Sequence, residues 1–271
     1  MKPRRRFGQH FLNPSWAARV IASAGFTADD RILEIGPGRG ALTIPLSGAV
    51  AELVAVEIDR DLAEGLRKRL PERARLIEAD FLNVRGDVLF DAPGDRPWRV
   101  VGNLPYNVSS PILFRLLELA RGTARLTDAT LMLQREVADR VASAPGTKQY
   151  GALSIMVQLD ADVEGLLTLP PGAFRPAPQV WSKLIRLRFR PPRVQVRDRR
   201  QLEVLVKSIF AQRRKMLANA LRPLASSRGR DSEVLLRGAG IDPTRRPETL
   251  HLAELARLAD ALGAPNPAGE V

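Results

Sequence analysis

Apolar and polar positions alternate along this chain in two different ways. Up to residue 190, short apolar runs end in polar or glycine-rich segments and are followed by amphipathic stretches. Arg31–Ile35, Glu52–Glu57, Arg75–Ala79, Trp98–Gly102 and Ala129–Leu133 read as buried strands. Pro14–Ala24, a segment opening at Ala41, Leu62–Leu70, Pro111–Leu119 and a segment from Gln134 to Val141 read as the helices between them. In the first, Trp16, Val20 and Ile21 fall on one side. Strands alternating with helices predict an open α/β sheet. Gln149–Val157 reads as a helix on the flank of that sheet, and Val163–Leu169 and Trp181–Phe189 as two further strands. Pro191-Pro192 marks a boundary. Beyond it the period is helical, over Gln201–Phe210, Lys215–Leu224, Ser232–Ala239 and Leu252–Leu262. The expected organisation is a sheet domain over residues 1–190 and a small all-helical domain over 191–271, with a Pro/Gly/Ala-rich tail from Gly263.

Composition narrows the chemistry. The absence of cysteine excludes disulfides and thiolate nucleophiles, and with two histidines no metal centre is expected. No apolar run is long enough to span a bilayer, and no apolar signal core follows the basic Met1–Arg6. The expectation is a soluble, cytoplasmic protein without a membrane partner. The net charge of +12 is unevenly placed: residues 183–246 carry 18 Lys/Arg against 5 Asp/Glu, whereas residues 1–182 carry 23 against 21. Such a block points to a polyanion, most simply a nucleic acid. Ala211-Gln212-Arg213-Arg214-Lys215 sets three cations at a helix junction.

The first glycine loop, Gly36-Pro37-Gly38-Arg39-Gly40, follows a strand and opens a helix. Its spacing is neither the dinucleotide pattern nor a P-loop. With Glu34 just before it, the loop fits an S-adenosylmethionine site, at whose rim carboxylates are expected. Glu57 ends the next strand, where a carboxylate can accept hydrogen bonds from both ribose hydroxyls. Asp80 ends the third and is placed to meet an adenine amino group. Asp59 and Asp61 are candidate caps for the helix that follows.

Asn103-Leu104-Pro105-Tyr106 follows the fourth strand, with Ser109-Ser110-Pro111 reading as a helix start. This loop suits transfer to an exocyclic amine. The Asn103 amide oxygen and the Leu104 carbonyl can accept both amine N–H groups and favour a pyramidal nitrogen. Pro105 restricts the Leu104 backbone, and Tyr106 offers a ring face to a base. Two further segments are open to either of two readings. Arg4–Leu12 is an arm packed through Phe7 and Phe11, or a cover over a ligand. In Phe174–Val180 alternating prolines force an extended loop, and Phe174 with Arg175 either clamps a target nucleotide or makes a rigid connection plugged into the core.

Together these motifs resemble the ribosomal RNA adenine N6-dimethyltransferases, most closely the KsgA/RsmA branch acting on small-subunit (16S) rRNA. The matching stretches are Phe7–Leu12, Glu34–Gly40, Val56–Asp59, Asp80, Asn103–Ser109, Phe174–Ser182 and Phe210–Lys215. The resemblance implies a Rossmann-like class I methyltransferase sheet, followed by a small helical domain, with S-adenosylmethionine as methyl donor. It assigns cofactor contacts to His10, Leu12, Gly36, Gly38, Glu57, Asp80 and Asn103. Asn103, Leu104, Pro105 and Tyr106 become the catalytic loop, and Phe174, Arg175, Arg213, Arg214 and Lys215 the RNA contacts. Trp181 stands where the family more often has Asp or Asn. The implied partner is the 30S ribosomal particle, with two adjacent adenosines of a hairpin loop near the rRNA 3′ end as targets, and the implied state a monomer. Three alternatives stay open: a large-subunit resistance dimethyltransferase, a DNA or protein amide methyltransferase, and a non-catalytic RNA-binding assembly or transcription factor on the same fold.

Overall fold

A computed structural model describes residues 9–90, 96–123 and 126–264. The proposed packing of Phe7 and the basic run Arg4–Arg6 lie outside the described residues, as does the tail beyond residue 264. The chain forms two units. One takes the chain up to Ala138 with Ala161–Arg190, and the other takes Asp139–Asp160 with the chain from Pro191.

The first unit carries nine strands among the described residues: β1 (Phe11–Leu12), β2 (Arg31–Ile35), β3 (Glu52–Glu57), β4 (Ala74–Glu78), β5 (Trp98–Asn103), β6 (Leu126–Gln134), β7 (Ala161–Leu169), β8 (Phe174–Arg175) and β9 (Ser182–Phe189). Seven form one sheet in the order β4-β3-β2-β5-β6-β9-β7. The first five are parallel, and β9 runs antiparallel to both β6 and β7. Every residue of β2 is buried, and β6 nearly so, which is why both read as continuous apolar runs rather than alternating ones. Strand order reverses between β2 and β5, so a crevice opens at their carboxyl ends, where open α/β sheets bind ligands.

The opposite edge of the sheet is closed by arginines. Arg99 on β5 pairs with Asp30 at 2.8 Å and Asp128 at 2.9 Å. It also donates to the Ala24 carbonyl at 3.0 Å, as does Arg186 at 2.7 Å. These charge-assisted bonds satisfy the last turn of helix Pro14–Ala24.

The second unit is helical. Its core gathers Tyr150, Leu202, Leu205, Ile209, Leu221, Leu236, Leu255 and Leu258. Asp198 and Asp231 cap helices Arg199–Ala211 and Ser232–Gly238 through their side-chain oxygens. Helix Ala152–Asp160 sends Ile155 and Leu159 into this same core, and Asp160 pairs with Arg199. The sequence reading placed that helix on the sheet's flank. A short helix apolar around most of its circumference carries no signal of which unit it joins.

Candidate active site

The crevice is lined by residues from the ends of β2, β3, β4 and β5 and from the arm before β1, and holds about 980 Å³ of empty space, its open mouth included. That is ample for a nucleoside-sized ligand. Gly38 is held with φ +57°, and a Cβ there would meet the Phe11 ring at 3.2 Å. Its N–H donates to Glu57 Oε2 at 2.9 Å. Gly40, at φ +81°, lies so close to Leu66 that a Cβ would approach it to 2.6 Å. Glycine at both positions lets the loop turn tightly under the crevice.

Glu57 lines the crevice and is buried. Its Oε1 accepts from the Asp59 N–H at 2.9 Å. Burial pushes the Glu57 pKa up, while the Asp59 and Gly38 backbone donors pull it back. Each oxygen keeps a lone pair for a further donor. Asp59 caps helix Arg60–Arg67 and accepts from Gln9 Nε2 at 3.0 Å. Asp80 reaches the crevice from the turn after β4, where its Oδ1 and Oδ2 accept from the Leu82 N–H and Asn83 Nδ2, both at 3.0 Å.

Asn103, Leu104, Pro105 and Tyr106 line the facing wall. Asn103 Nδ2 donates to the His10 carbonyl at 2.7 Å. Its Oδ1 has no partner among the described residues and is the amide group left to the crevice. The Leu104 N–H bonds to the Met132 carbonyl at 3.3 Å, which ties the loop to β6. The Tyr106 ring stacks on His10 with centroids 5.3 Å apart and an interplanar angle of 27°. The Tyr106 hydroxyl and Ser182 Oγ share a 2.9 Å hydrogen bond. Burial raises the Tyr106 pKa, so the phenol stays neutral. Asn103, Glu57, Asp80, Gly36, Gly38 and His10 are thus brought together.

The arm is fastened at several points. His10 Nδ1 donates to the Pro176 carbonyl at 2.7 Å, Asn13 Nδ2 donates to the Gly172 carbonyl at 2.8 Å, and β1 pairs with β8. The Arg39 guanidinium lies 4.3 Å over the Phe11 ring.

Four expectations need correction. Phe174 is 1% exposed and packs with Leu12, Val20 and Leu184, so it plugs the core and cannot clamp a nucleotide. Pairing of β8 with β1 turns it inward. The Leu12 side chain enters the same core and does not line the crevice. Arg213 pairs with Glu248 at 2.6 Å and donates to the Thr147 carbonyl, a bond internal to the helical unit. Glu34 is buried, not at the rim, and burial pushes its pKa up to about 8. Arg175, Arg214 and Lys215 are exposed as an RNA contact requires. The lining also takes in Gln9 from the arm, read in the sequence as a possible cover over a ligand, and Ile58 and Leu82, which the sequence reading overlooked. Ile58 carried a signal, an apolar residue directly after a strand-end carboxylate.

Comparison with known proteins agrees with this arrangement. Residues 1–261 match the family described as ribosomal RNA adenine dimethylase. The Acinetobacter baylyi protein named ribosomal RNA small subunit methyltransferase A is 43% identical, over 96% of this chain and 93% of its own. The Leptothrix cholodnii protein of the same name is 46% identical, over 96% and 92%. Among solved structures, the 23S rRNA methyltransferase ErmE superposes with a TM-score of 0.65 at 27% identity, covering 94% of this chain and all of its own. A Plasmodium falciparum dimethyladenosine transferase superposes with a TM-score of 0.75 at 21% identity, covering 92% and 96%, which bears on the fold. The sheet is that of the class I methyltransferases.

Proposed function

The chain belongs to the ribosomal RNA adenine dimethylase family, and from that premise we propose that it dimethylates N6 of two adjacent adenosines in the 3′-terminal hairpin loop of small-subunit rRNA. It is an rRNA adenine dimethyltransferase with S-adenosylmethionine as methyl donor. The proposed substrate is the 30S particle, met in the cytoplasm by a monomer. The small-subunit reading is favoured by the names of relatives at 42–46% identity. No helix among the described residues is long and apolar enough to cross a membrane.

The observation that carries the mechanism is the fixed Asn103 amide. An aryl amine is a weak nucleophile because its lone pair is delocalised. Asn103 Oδ1 and the Leu104 carbonyl accept its two N–H bonds and hold the nitrogen pyramidal, lone pair toward the crevice. The His10 carbonyl prevents the amide from flipping. Tyr106 presents a ring to the unstacked base. Glu57 and Asp80 accept from the cofactor's ribose and adenine, and Gly36 and Gly38 admit its backbone approach. When bound, S-adenosylmethionine supplies an electrophilic sulfonium methyl. The chain contributes positioning rather than a base, since a methylated ammonium loses its proton to water readily. Exposed Arg175, Arg214 and Lys215 meet the RNA backbone.

The test supplies labelled S-adenosylmethionine with 30S particles lacking adenine dimethylation, and 50S particles in parallel. Dimethyladenosine in the 30S sample alone is the expected result. Label in the 50S sample alone would move the substrate to the large subunit.

A further inference from the structure

Beside Ile58, which lines the crevice, two large apolar side chains stand exposed at the active edge of the sheet. Val180 is 43% and Trp181 47% exposed. Tryptophan is the costliest side chain to leave in water, and the other two are covered: Trp98 is fully buried and Trp16 packs against the core. The position of Trp181 is rigid. Its carbonyl accepts from the Arg135 N–H at 2.9 Å, and the next residue, Ser182, is buried and bonded to the Tyr106 hydroxyl at 2.9 Å.

Topology sets the distance to the reacting loop. Asn103 pairs with Met132 on β6, and Gln134 on β6 pairs with Ser182 on β9. Two strand spacings and a two-residue offset along β6 separate Asn103 from Ser182, roughly 12 Å, and the bond from the Tyr106 hydroxyl to Ser182 brings the Tyr106 ring next to the residue that follows Trp181. Two cations adjoin the position: exposed Arg135, whose backbone N–H bonds the Trp181 carbonyl, and Lys183 on the strand that follows. Glu136 and Asp139 are the carboxylates of the helix that Arg135 opens. The charge therefore suits a polyanion with an aromatic surface of its own.

Resting on the reading of the active loop given above, we infer that Trp181 is a substrate-contact residue, an exposed stacking platform for the unpaired base next to the target adenosine. Once one base is drawn out of the loop, its neighbour loses a stacking partner. The indole replaces that partner in a sequence-tolerant way, and Tyr106 and Trp181, joined through Ser182, take consecutive bases. Moving from the first adenosine to its neighbour would keep both platforms in use.

The test compares wild type with W181A and W181F on undermethylated 30S particles and on an RNA hairpin with unpaired adenosines. W181A is expected to raise KM for the particle about tenfold, with W181F restoring most of it and affinity for S-adenosylmethionine unchanged. Tryptophan fluorescence of wild type is expected to be quenched by the hairpin and not by a duplex of equal length, and W181F to lose the quench. Equal KM in W181A, or equal quenching in W181F, would overturn the assignment while leaving the dimethylation reading intact. A wild type that forms no dimethyladenosine at all would count against that reading instead.

Discussion

The side-chain amide of Asn103 is held by the main chain of His10, through a 2.7 Å bond across 93 residues of sequence. The donor half of the amide is consumed by the arm, and the acceptor half faces the crevice. The arm is therefore part of the reacting loop's geometry, and its own anchors at Asp59 and Pro176 bear on catalysis.

Gly38→Ala tests the glycine loop. The residue would have to hold φ +57° and press a methyl group against Phe11. Strain of about 1–3 kcal/mol is expected, appearing as weaker cofactor binding in calorimetry. Cofactor affinity equal to wild type would show the loop can relax without cost.

Glu34 makes stability pH-dependent. Its folded pKa is raised to about 8 from 4.5 by burial. Between those values the unfolded carboxyl gives up its proton and the folded one retains it, so stability falls as pH rises across that window. Below 4.5 both states are protonated, and the full contribution is present. Glu34→Gln is expected to match wild type near pH 5 and to exceed it in urea unfolding near pH 7.5. Parallel curves at the two pH values would contradict a buried neutral carboxyl.

The basic cluster separates into two roles. Arg213→Glu leaves half-buried Glu248 facing a like charge, and the helical unit is expected to lose about 1–2 kcal/mol of stability, less than a fully buried pair would cost because solvent screens it. Reversing Arg214 and Lys215 should leave the melting temperature within a degree or two. It should also flatten the dependence of log affinity on log salt by roughly 0.7–0.9 per contact. An unchanged salt slope would remove the pair from the RNA footprint.

Tyr106→Phe keeps the ring and loses the bond to Ser182; Tyr106→Ala loses both. If stacking is the ring's contribution, the phenylalanine variant stays within about fivefold of wild type and the alanine variant loses roughly ten- to a hundredfold in kcat/KM. Equal losses would shift the role to the hydroxyl.

The placement of the candidate site was legible in the sequence wherever one short segment carries it. The Asn103–Tyr106 loop, the glycine turn and the strand-end acids Glu57 and Asp80 combine with sheet topology to fix their own place. Phe174 was not legible, because prolines that extend a loop do not say which way its aromatic points. That is decided by β8 pairing with β1 more than 160 residues away in the chain. Glu34 misled because a carboxylate inside an apolar run reads as a ligand group, and only the filled sheet around β2 makes it a buried acid. Arg213 is tied into the helical unit by Glu248, a partner 35 residues on that its basic neighbours in the sequence do not announce. The unit joined by helix Ala152–Asp160 depended on tertiary packing that an all-round apolar pattern leaves open.

Asn103 Oδ1 is the atom on which methyl transfer depends in the proposed mechanism, and single-turnover transfer to undermethylated 30S particles by wild type and Asn103→Ala measures that dependence. The alanine variant is expected to lose at least a hundredfold in the transfer rate, on the order of 3 kcal/mol, with particle binding unchanged. Transfer by the alanine variant at the wild-type rate would contradict that dependence.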